Sequence, residues 1–322
     1  MTATVSPERT GPEKPSEPPK STRRGDRIFA AIVRIAAYTI LAALLAVFVF
    51  LAIEGWQGLT AAPDVYSPFT SFTSYIWPLI VSTLLASAIA LLVGAPFAIA
   101  VALFISHYAP RRLASVLAYV VDLLAAVPSV VFGLWGGRYL AAWLQPFHVW
   151  LHDKLGFLPF FGPGPPSANG RSLFTAGIVL AIMILPIITA ISREVFLQTP
   201  RLHEEAALAL GATRWEMIRY AVFPYARSGM VSGIMLGLGR ALGETMAVAM
   251  VLATTPTMTL NVIGTASPPT IAANIALNYK ESTPERQSLL IATGLVLFLV
   301  TFLVNFAARS FLARRSEFDG AN

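Results

Sequence analysis

Six apolar stretches, each long enough to cross a lipid bilayer as a helix, constrain this chain more than any other feature. A helix needs about 20 apolar residues to span the hydrocarbon layer. Only 12% of the 322 residues are charged, about half the usual share of a soluble domain. The stretches therefore predict an all-α polytopic membrane protein with six transmembrane helices. They cover about residues 28–54, 76–106, 113–136, 173–194, 229–253 and 287–312.

The two ends of the chain are polar. Residues 1–27 are rich in Pro, Ser, Glu and Lys, and we expect a disordered cytoplasmic tail there. Residues 313–322 form the second predicted tail, also cytoplasmic. Lys and Arg concentrate in these tails and in the loops on the same side, and this positive-inside bias predicts that both termini face the cytoplasm. The bias also accounts for the net charge of +6 without a nucleic-acid partner.

Residue types suited to metal or nucleotide chemistry are sparse. Cysteine is absent, which excludes disulfides and thiolate metal sites. His148 and His152 could share a helix face, but no acidic motif accompanies them, and we expect ordinary interfacial roles. No GxxxxGK[ST] motif is present, so another chain must bind ATP if ATP powers this system. The sequence predicts no catalytic residue, no metal and no cofactor.

Residues 195–227, between the fourth and fifth stretches, are predicted to form two short helices joined by a tight turn. Gly211 suits the position just after a helix, where a positive φ is needed. Thr213 and Glu216 form a capping box that opens the second helix. Pro224 is expected to end it.

The same loop resembles the EAA loop of type I ABC importer permeases. The matching residues, at the family's spacing, are Glu205, Ala206, Ala207, Gly211 and Pro224. Ala221 and Phe223 depart from the usual Ile and Leu but stay apolar. The small alanines, with Ala209, would allow close approach of another protein. The alternative is an amphipathic hairpin that only connects two spans.

The resemblance implies a fold and a domain organisation. It implies a type I ABC importer permease fold, with a transmembrane permease domain over 28–312 and its shared core at about 75–309. Residues 195–227 would be the coupling loop that docks into a cleft on an ATP-hydrolysing subunit.

Ionisable residues inside the predicted spans cost free energy in the hydrocarbon layer, so their presence points to a function. Arg240 and Glu244 are four residues apart and would share one face of a continuous helix. A guanidinium offers a planar fork of donors for a tetrahedral oxyanion. Glu244 could hold that fork in place, or it could accept a hydrogen bond from a protonated phosphate oxygen. The alternative is an ion pair that only neutralises itself. For Asp122 we favour packing inside the bundle over a pathway role near Pro128.

Residues Gly237–Val248, GLGRALGETMAV, are similar to the fifth-span signature of permeases of bacterial phosphate-specific ABC importers. Shorter strings at 127–133 and 205–216 support the resemblance, which covers about residues 28–312. It implies that Arg240, Glu244 and Thr245 lie on the route of inorganic phosphate across the bacterial cell membrane. It also implies three partners: a second, related permease, a dimer of ATP-hydrolysing subunits and an extracytoplasmic phosphate-binding protein.

Several alternatives stay open at this point. The cargo could be sulfate, molybdate or phosphonate, and the second permease could be another copy of this chain. A membrane enzyme acting on lipid phosphates would need a catalytic histidine or paired carboxylates at one interface, and the four histidines are scattered. A proton-coupled carrier would be expected to contain an internal repeat, and none is found.

Overall fold

The computed structural model describes residues 24–162, 164–252, 255, 259–265 and 267–319, and its regular elements there are helices. A single isolated bridge pairs Pro166 with Gly264. The described helices are α1 Arg24–Leu59, α2 Phe72–Leu103, α3 Arg111–Ala125, α4 Ser129–Trp135, α5 Ala141–Leu155, α6 Leu173–Leu197, α7 Arg201–Ala209, α8 Arg214–Met217, α9 Phe223–Gly243, α10 Met246–Val251, α11 Ile271–Asn278 and α12 Pro284–Asp319.

Four of the described helices are long and apolar enough to cross a membrane. They are Gly25–Leu59, Phe72–Tyr108, Leu173–Leu197 and Pro284–Ser310, with mean hydropathy between 2.5 and 2.7. A bent pair of helices, Arg111–Ala125 and Ser129–Leu155, brings the number to five if it counts as one span. The multi-pass, all-helical architecture is confirmed. The count of six spans stays a prediction.

The predicted third span, 113–136, is wrong as one continuous helix. α3 ends at Ala125, α4 begins at Ser129, and the chain bends by 90° between them. Pro128 is the physical reason, because a proline disfavours helical backbone in the residue before it. The apolar run continues through this break and conceals it.

Three boundaries also differ from the sequence-based ones. Residues 24–27, assigned to the N-terminal tail, form the first turn of α1, and the rest of that tail lies outside the described residues. α12 runs on to Asp319, so most of the predicted C-terminal tail is helical. The predicted third span ends at residue 136, but a π-helical turn at Gly136–Leu140 links α4 to α5, which continues to Leu155.

α6 lies at the centre of the bundle and packs against α2 and α9. Small residues let α2 and α6 approach closely. A Cβ on Gly94 would stand 3.0 Å from the Ala181 carbonyl oxygen, and one on Gly177 would stand 2.5 Å from Ile89 Cγ2. Such contacts replace the hydrophobic driving force that helices lack inside lipid. They fix the frame on which α9 and the loops are held.

Polar side chains of α2 hold the segment that leads into α11. The Ser82 hydroxyl donates to the Pro268 carbonyl at 2.6 Å, and Thr83 Oγ1 accepts from the Ile271 backbone N–H at 3.0 Å. Both side chains are buried, where an unpaired polar group would be costly.

Candidate functional site

The signature segment, residues Gly237–Val248, is interrupted rather than continuous. α9 ends at Gly243, Glu244 has extended backbone with ψ at 129°, and α10 begins at Met246. The Thr245 hydroxyl donates to the Gly243 carbonyl at 3.1 Å. Glu244 Oε1 accepts from the Ala247 N–H at 3.2 Å. Glu244 thus caps the start of α10 with an acceptor for an N–H that has no partner within the helix.

The prediction that Arg240 and Glu244 share a face of one helix is therefore wrong. Arg240 lies in the last turn of α9, while Glu244 lies beyond the end of that helix. Within the described parts of the chain no ion pair joins the two side chains. The predicted span 229–253 is consequently two helices. The glycines of the segment lower its helix propensity, and the Glu244 carboxylate stabilises a new start instead.

Arg240 lies on a face of α9 that the described residues leave uncovered. The Arg240 side chain is exposed, and Leu236, one turn earlier, is 57% exposed. At Gly239 and Gly243 an added Cβ would meet no atom within 4 Å. Exposed positions thus continue along this face of α9 up to the break at its end. The described residues therefore leave this face of α9 open.

The EAA loop, residues 195–227, contains the two helices that the sequence predicts. Gly211 follows α7 with φ at +86°, a conformation that glycine adopts more easily than any other residue. Thr213 accepts from the Glu216 N–H, and the Glu216 carboxylate accepts from the Thr213 N–H at 2.8 Å. These bonds from the Thr213 backbone and hydroxyl hold the pKa of the Glu216 carboxyl below its ordinary value.

Pro224 does not end the second helix. α8 passes through a π-helical turn, Ile218–Val222, directly into α9, and Pro224 lies in the first turn of α9. A proline has no backbone N–H to donate. The wider π-helical turn before it, in which the Phe223 N–H bonds to the Ile218 carbonyl, accommodates this missing donor. The EAA loop and α9 are thus mechanically continuous.

α7 offers an exposed surface with apolar side chains. None of its residues is buried, and Leu202 is 73% and the adjoining Leu210 is 91% exposed. Glu205 and Ala206 are also exposed, whereas Ala207 packs inward against the buried cluster around Met217. Ala207 therefore does not belong to the exposed small-residue surface that the sequence suggested. The large leucines, which the sequence analysis missed, dominate that surface.

One contact, missed by sequence reasoning, ties α7 to the end of α2. His107 lies in the π-helical turn Phe104–Tyr108 after α2. Its Nε2 is 3.5 Å from Glu204 Oε1, and its Nδ1 is 2.7 Å from the Ser106 hydroxyl. The pair joins residues nearly a hundred positions apart, so no local pattern could reveal it.

His148, His152 and Asp122 lie outside the signature segment and the EAA loop. His148 is fully buried with its ring edge-on to Phe174, and His152 Nδ1 is 2.9 Å from the Phe161 carbonyl oxygen. His148 is thus a packing residue rather than an interfacial one. No group of three metal-ligating side chains occurs in the described part of the chain. Asp122 is exposed on α3, so it does not pack against the described residues of this chain, and its packing inside an assembled bundle stays a prediction.

Comparison with known proteins agrees with this architecture. Residues 94–317 match the family model of the binding-protein-dependent transport system inner membrane component. A Mycobacterium tuberculosis phosphate transport system permease protein, PstC 2, is 45% identical over 304 residues, covering 90% of this chain and 93% of the relative. The PstC permease of Xylella fastidiosa is 36% identical over 333 residues, covering 99% and 100%.

A solved bacterial alginate ABC transporter, in complex with a periplasmic protein bound to alginate pentasaccharide, contains a chain of the same fold. It is 18% identical, with a TM-score of 0.56, over 89% of this chain and 98% of that one. Fold, broken signature segment and exposed EAA loop define a multi-pass permease of the ABC importer class. The chain belongs to the family of binding-protein-dependent transport system inner membrane components, and within that family to the PstC permeases.

Proposed function

We propose that this chain is the permease subunit of an ATP-binding cassette importer that translocates inorganic phosphate into the cell. The observation that carries the proposal is the position of Arg240, on an uncovered face of α9, immediately before the break at Glu244 and Thr245. The relatives that match almost the whole chain are named phosphate permeases, which supports phosphate as the cargo.

The chemistry of the segment suits a partly protonated tetrahedral anion. The Arg240 guanidinium can donate two parallel hydrogen bonds to phosphate oxygens. Glu244 uses Oε1 to cap α10, and its other carboxylate oxygen can accept from a protonated phosphate oxygen. Sulfate carries no such proton at neutral pH, so this acceptor favours phosphate. Thr245 adds a hydroxyl beside the same break.

The EAA loop is the proposed contact with the ATP-hydrolysing subunit. Exposed Glu205 and Ala206, with the exposed leucines of this loop, form a mixed apolar and acidic surface. Gly211 and Pro224 set its geometry: Gly211 allows the turn between α7 and α8, and Pro224 begins the helix that leads to Arg240. Movement of a docked subunit would be transmitted along that continuous helix.

The proposed assembly lies in the bacterial inner membrane with both termini of this chain in the cytoplasm. This chain supplies half of the pore and no catalytic activity. A PstA-like permease supplies the other half, a dimer of PstB-like subunits hydrolyses ATP, and a PstS-like protein delivers phosphate from outside. The uncovered face of α9 fits such a division of the pathway between two permeases.

The test is uptake of radiolabelled phosphate by proteoliposomes that contain this chain with its three partners. We expect uptake that requires internal ATP, the binding protein and this chain, and that excess sulfate or molybdate does not inhibit. ATP-dependent uptake of sulfate or molybdate in place of phosphate would support an ABC importer but reject phosphate as its cargo. Uptake without the ATP-hydrolysing subunits would reject the ABC mechanism.

A further inference from the structure

A guanidinium outside the signature segment holds the far end of α10. Arg171, in the segment before α6, donates from Nε to the Val251 carbonyl at 3.2 Å and from Nη2 to the Met250 carbonyl. These are consecutive carbonyls at the last turn of the helix, where backbone acceptors have no partner within the helix.

α10 depends on such contacts at its ends because it is only six residues long. The N–H groups of its first turn and the carbonyls of its last turn, which make up a large share of so short a helix, have no partner within it. The Glu244 carboxylate lies at its N-terminus and the Arg171 guanidinium at its C-terminus. Each charge has the sign that the helix dipole favours. A carboxylate and a guanidinium thus hold the short helix from opposite ends.

Arg171 is itself firmly placed. Its backbone N–H donates to Asn169 Oδ1 at 3.1 Å, and its carbonyl accepts from the buried Ser167 hydroxyl at 2.9 Å. The next residue, Ser172, accepts from the Thr175 N–H as the N-cap of α6. Arg171 therefore transmits the position of the central helix α6 to α10.

α10 is also packed closely against α4 and the π-helical turn that follows it. A Cβ on Gly133 of α4 would stand 2.8 Å from Ala247 Cα, and one on Gly137 would stand 2.7 Å from the Met250 carbonyl oxygen. α10 therefore has little room to shift toward α4, and its displacement along its own axis is limited by the contacts at its two ends.

We propose that Arg171 is a positioning residue that, through α10, sets the place of Glu244 and Thr245 on the phosphate route. This rests on the proposed function. Arg171 does not touch the cargo in this scheme. It keeps the end of the short helix fixed, so that the cap at the other end stays where the anion passes.

Arg138 provides a matched control. It lines the same cleft of about 780 Å³ as Arg171, together with Met250, and carries the same charge. Arg138 is exposed, and no hydrogen bond from it to α10 is found among the residues the structure describes. Arg138→Gln therefore removes the same charge from the same cleft without releasing the helix.

Two measurements on the reconstituted complex test the proposal. Arg171→Gln should speed hydrogen exchange of the 247–252 amides about tenfold, the effect expected from losing a charge-assisted hydrogen bond. Phosphate uptake per assembled complex should also fall about tenfold, while ATP hydrolysis continues. Arg138→Gln should behave as the unmodified chain in both measurements, and Arg171→Lys should lie between.

Unchanged exchange in Arg171→Gln would overturn the proposal, as would faster exchange with normal uptake per complex, since the role would then be only structural. If Arg171→Gln does not assemble, Arg171→Lys decides: exchange equal to that of the unmodified chain overturns the proposal. Absence of phosphate uptake by the unmodified complex would instead reject the proposed function, and the exchange measurement would still report on the helix.

Discussion

The EAA loop and the signature segment lie at opposite ends of α9 and are stabilised in different ways. The loop depends on neighbours in sequence: Gly211 makes its turn, and Thr213 and Glu216 cap each other three residues apart. The signature segment depends on distant groups, since α10 is fixed by Arg171, about 80 residues away. The turn and cap of the loop form locally on an exposed surface, although His107 and Glu204 also tie α7 to the end of α2, whereas α10 is part of the packed bundle.

This difference assigns different consequences to changes in the two regions. A loop that forms its own structure can dock against another subunit without rebuilding the bundle. A break held by long-range contacts fixes the pathway chemistry in place. Changes in the loop should therefore uncouple ATP hydrolysis from transport, whereas changes in the signature segment should stop passage of the anion.

The largest effect is expected for Arg240→Ala. Loss of two charge-assisted hydrogen bonds to the anion, each worth about 1.5–3 kcal/mol, should lower phosphate uptake at least about a hundredfold. Uptake in proteoliposomes is the measurement. Arg34→Ala is the matched control, because Arg34 is also in an apolar helix and its Nε donates to the Ala30 carbonyl of its own helix at 3.1 Å. Normal transport by Arg240→Ala would make Arg240 a structural residue.

Glu205→Lys should have the next largest effect, at the other end of α9. The change replaces an exposed negative charge on α7 by a positive one. Because this charge lies in the proposed docking surface, uptake should fall about tenfold. Co-purification with the ATP-hydrolysing subunit should weaken to a similar degree. Lys280→Glu reverses a charge far from this surface and serves as the control. Full uptake and full co-purification by Glu205→Lys would remove the docking claim.

Gly211→Ala should have a smaller, local effect. An alanine at φ +86° costs about 1–2 kcal/mol, while open space around the position excludes a clash. Hydrogen exchange of the 212–217 amides should accelerate accordingly, and Gly211→Asn should accelerate them less because Asn tolerates this conformation. Equal exchange in the two variants would mean that backbone strain does not control the turn.

The smallest effect is the pH dependence of the capping box. The folded-state pKa of Glu216 is depressed below its ordinary value of 4.5. Its contribution to loop stability is therefore fully present above that value and is lost as the pH falls through the folded pKa. Exchange of the 214–217 amides, corrected for intrinsic rates, should rise over that acidic window. Glu216→Gln should remove this dependence, and its persistence would assign the titration to another group.

Local features of this molecule could be predicted from its sequence because their causes lie within a few residues. The apolar stretches, the turn at Gly211 and the capping box at Thr213 are all of this kind. The bend at Pro128 also has a local cause, but the uninterrupted apolar run concealed it. The apolar run is long enough to span the membrane, and the proline is the one residue in it that argues against a continuous helix.

Two kinds of contact explain the residues that sequence spacing does not assign correctly: a competing local partner at Glu244, and distant partners at Arg171 and His107. Glu244 was paired with Arg240 because the two are four apart, yet its carboxylate has a competing partner in the Ala247 N–H. Arg171 and His107 were missed because their partners lie far along the chain. The glycines around Arg240 were the one available signal that the helix was weak at this point.

The most direct test of the central claim, that phosphate passes the break at Glu244 and Thr245, uses the natural absence of cysteine from this chain. A complex with Thr245→Cys should import phosphate until a charged, water-soluble thiol reagent modifies it, after which uptake should fall at least about tenfold, because a fixed charge and added volume would block the route. Trp143→Cys, at a position that is 77% exposed on α5, should keep its uptake after the same treatment, as should the unmodified complex. Full uptake by a Thr245→Cys complex whose introduced thiol is completely modified would contradict the account.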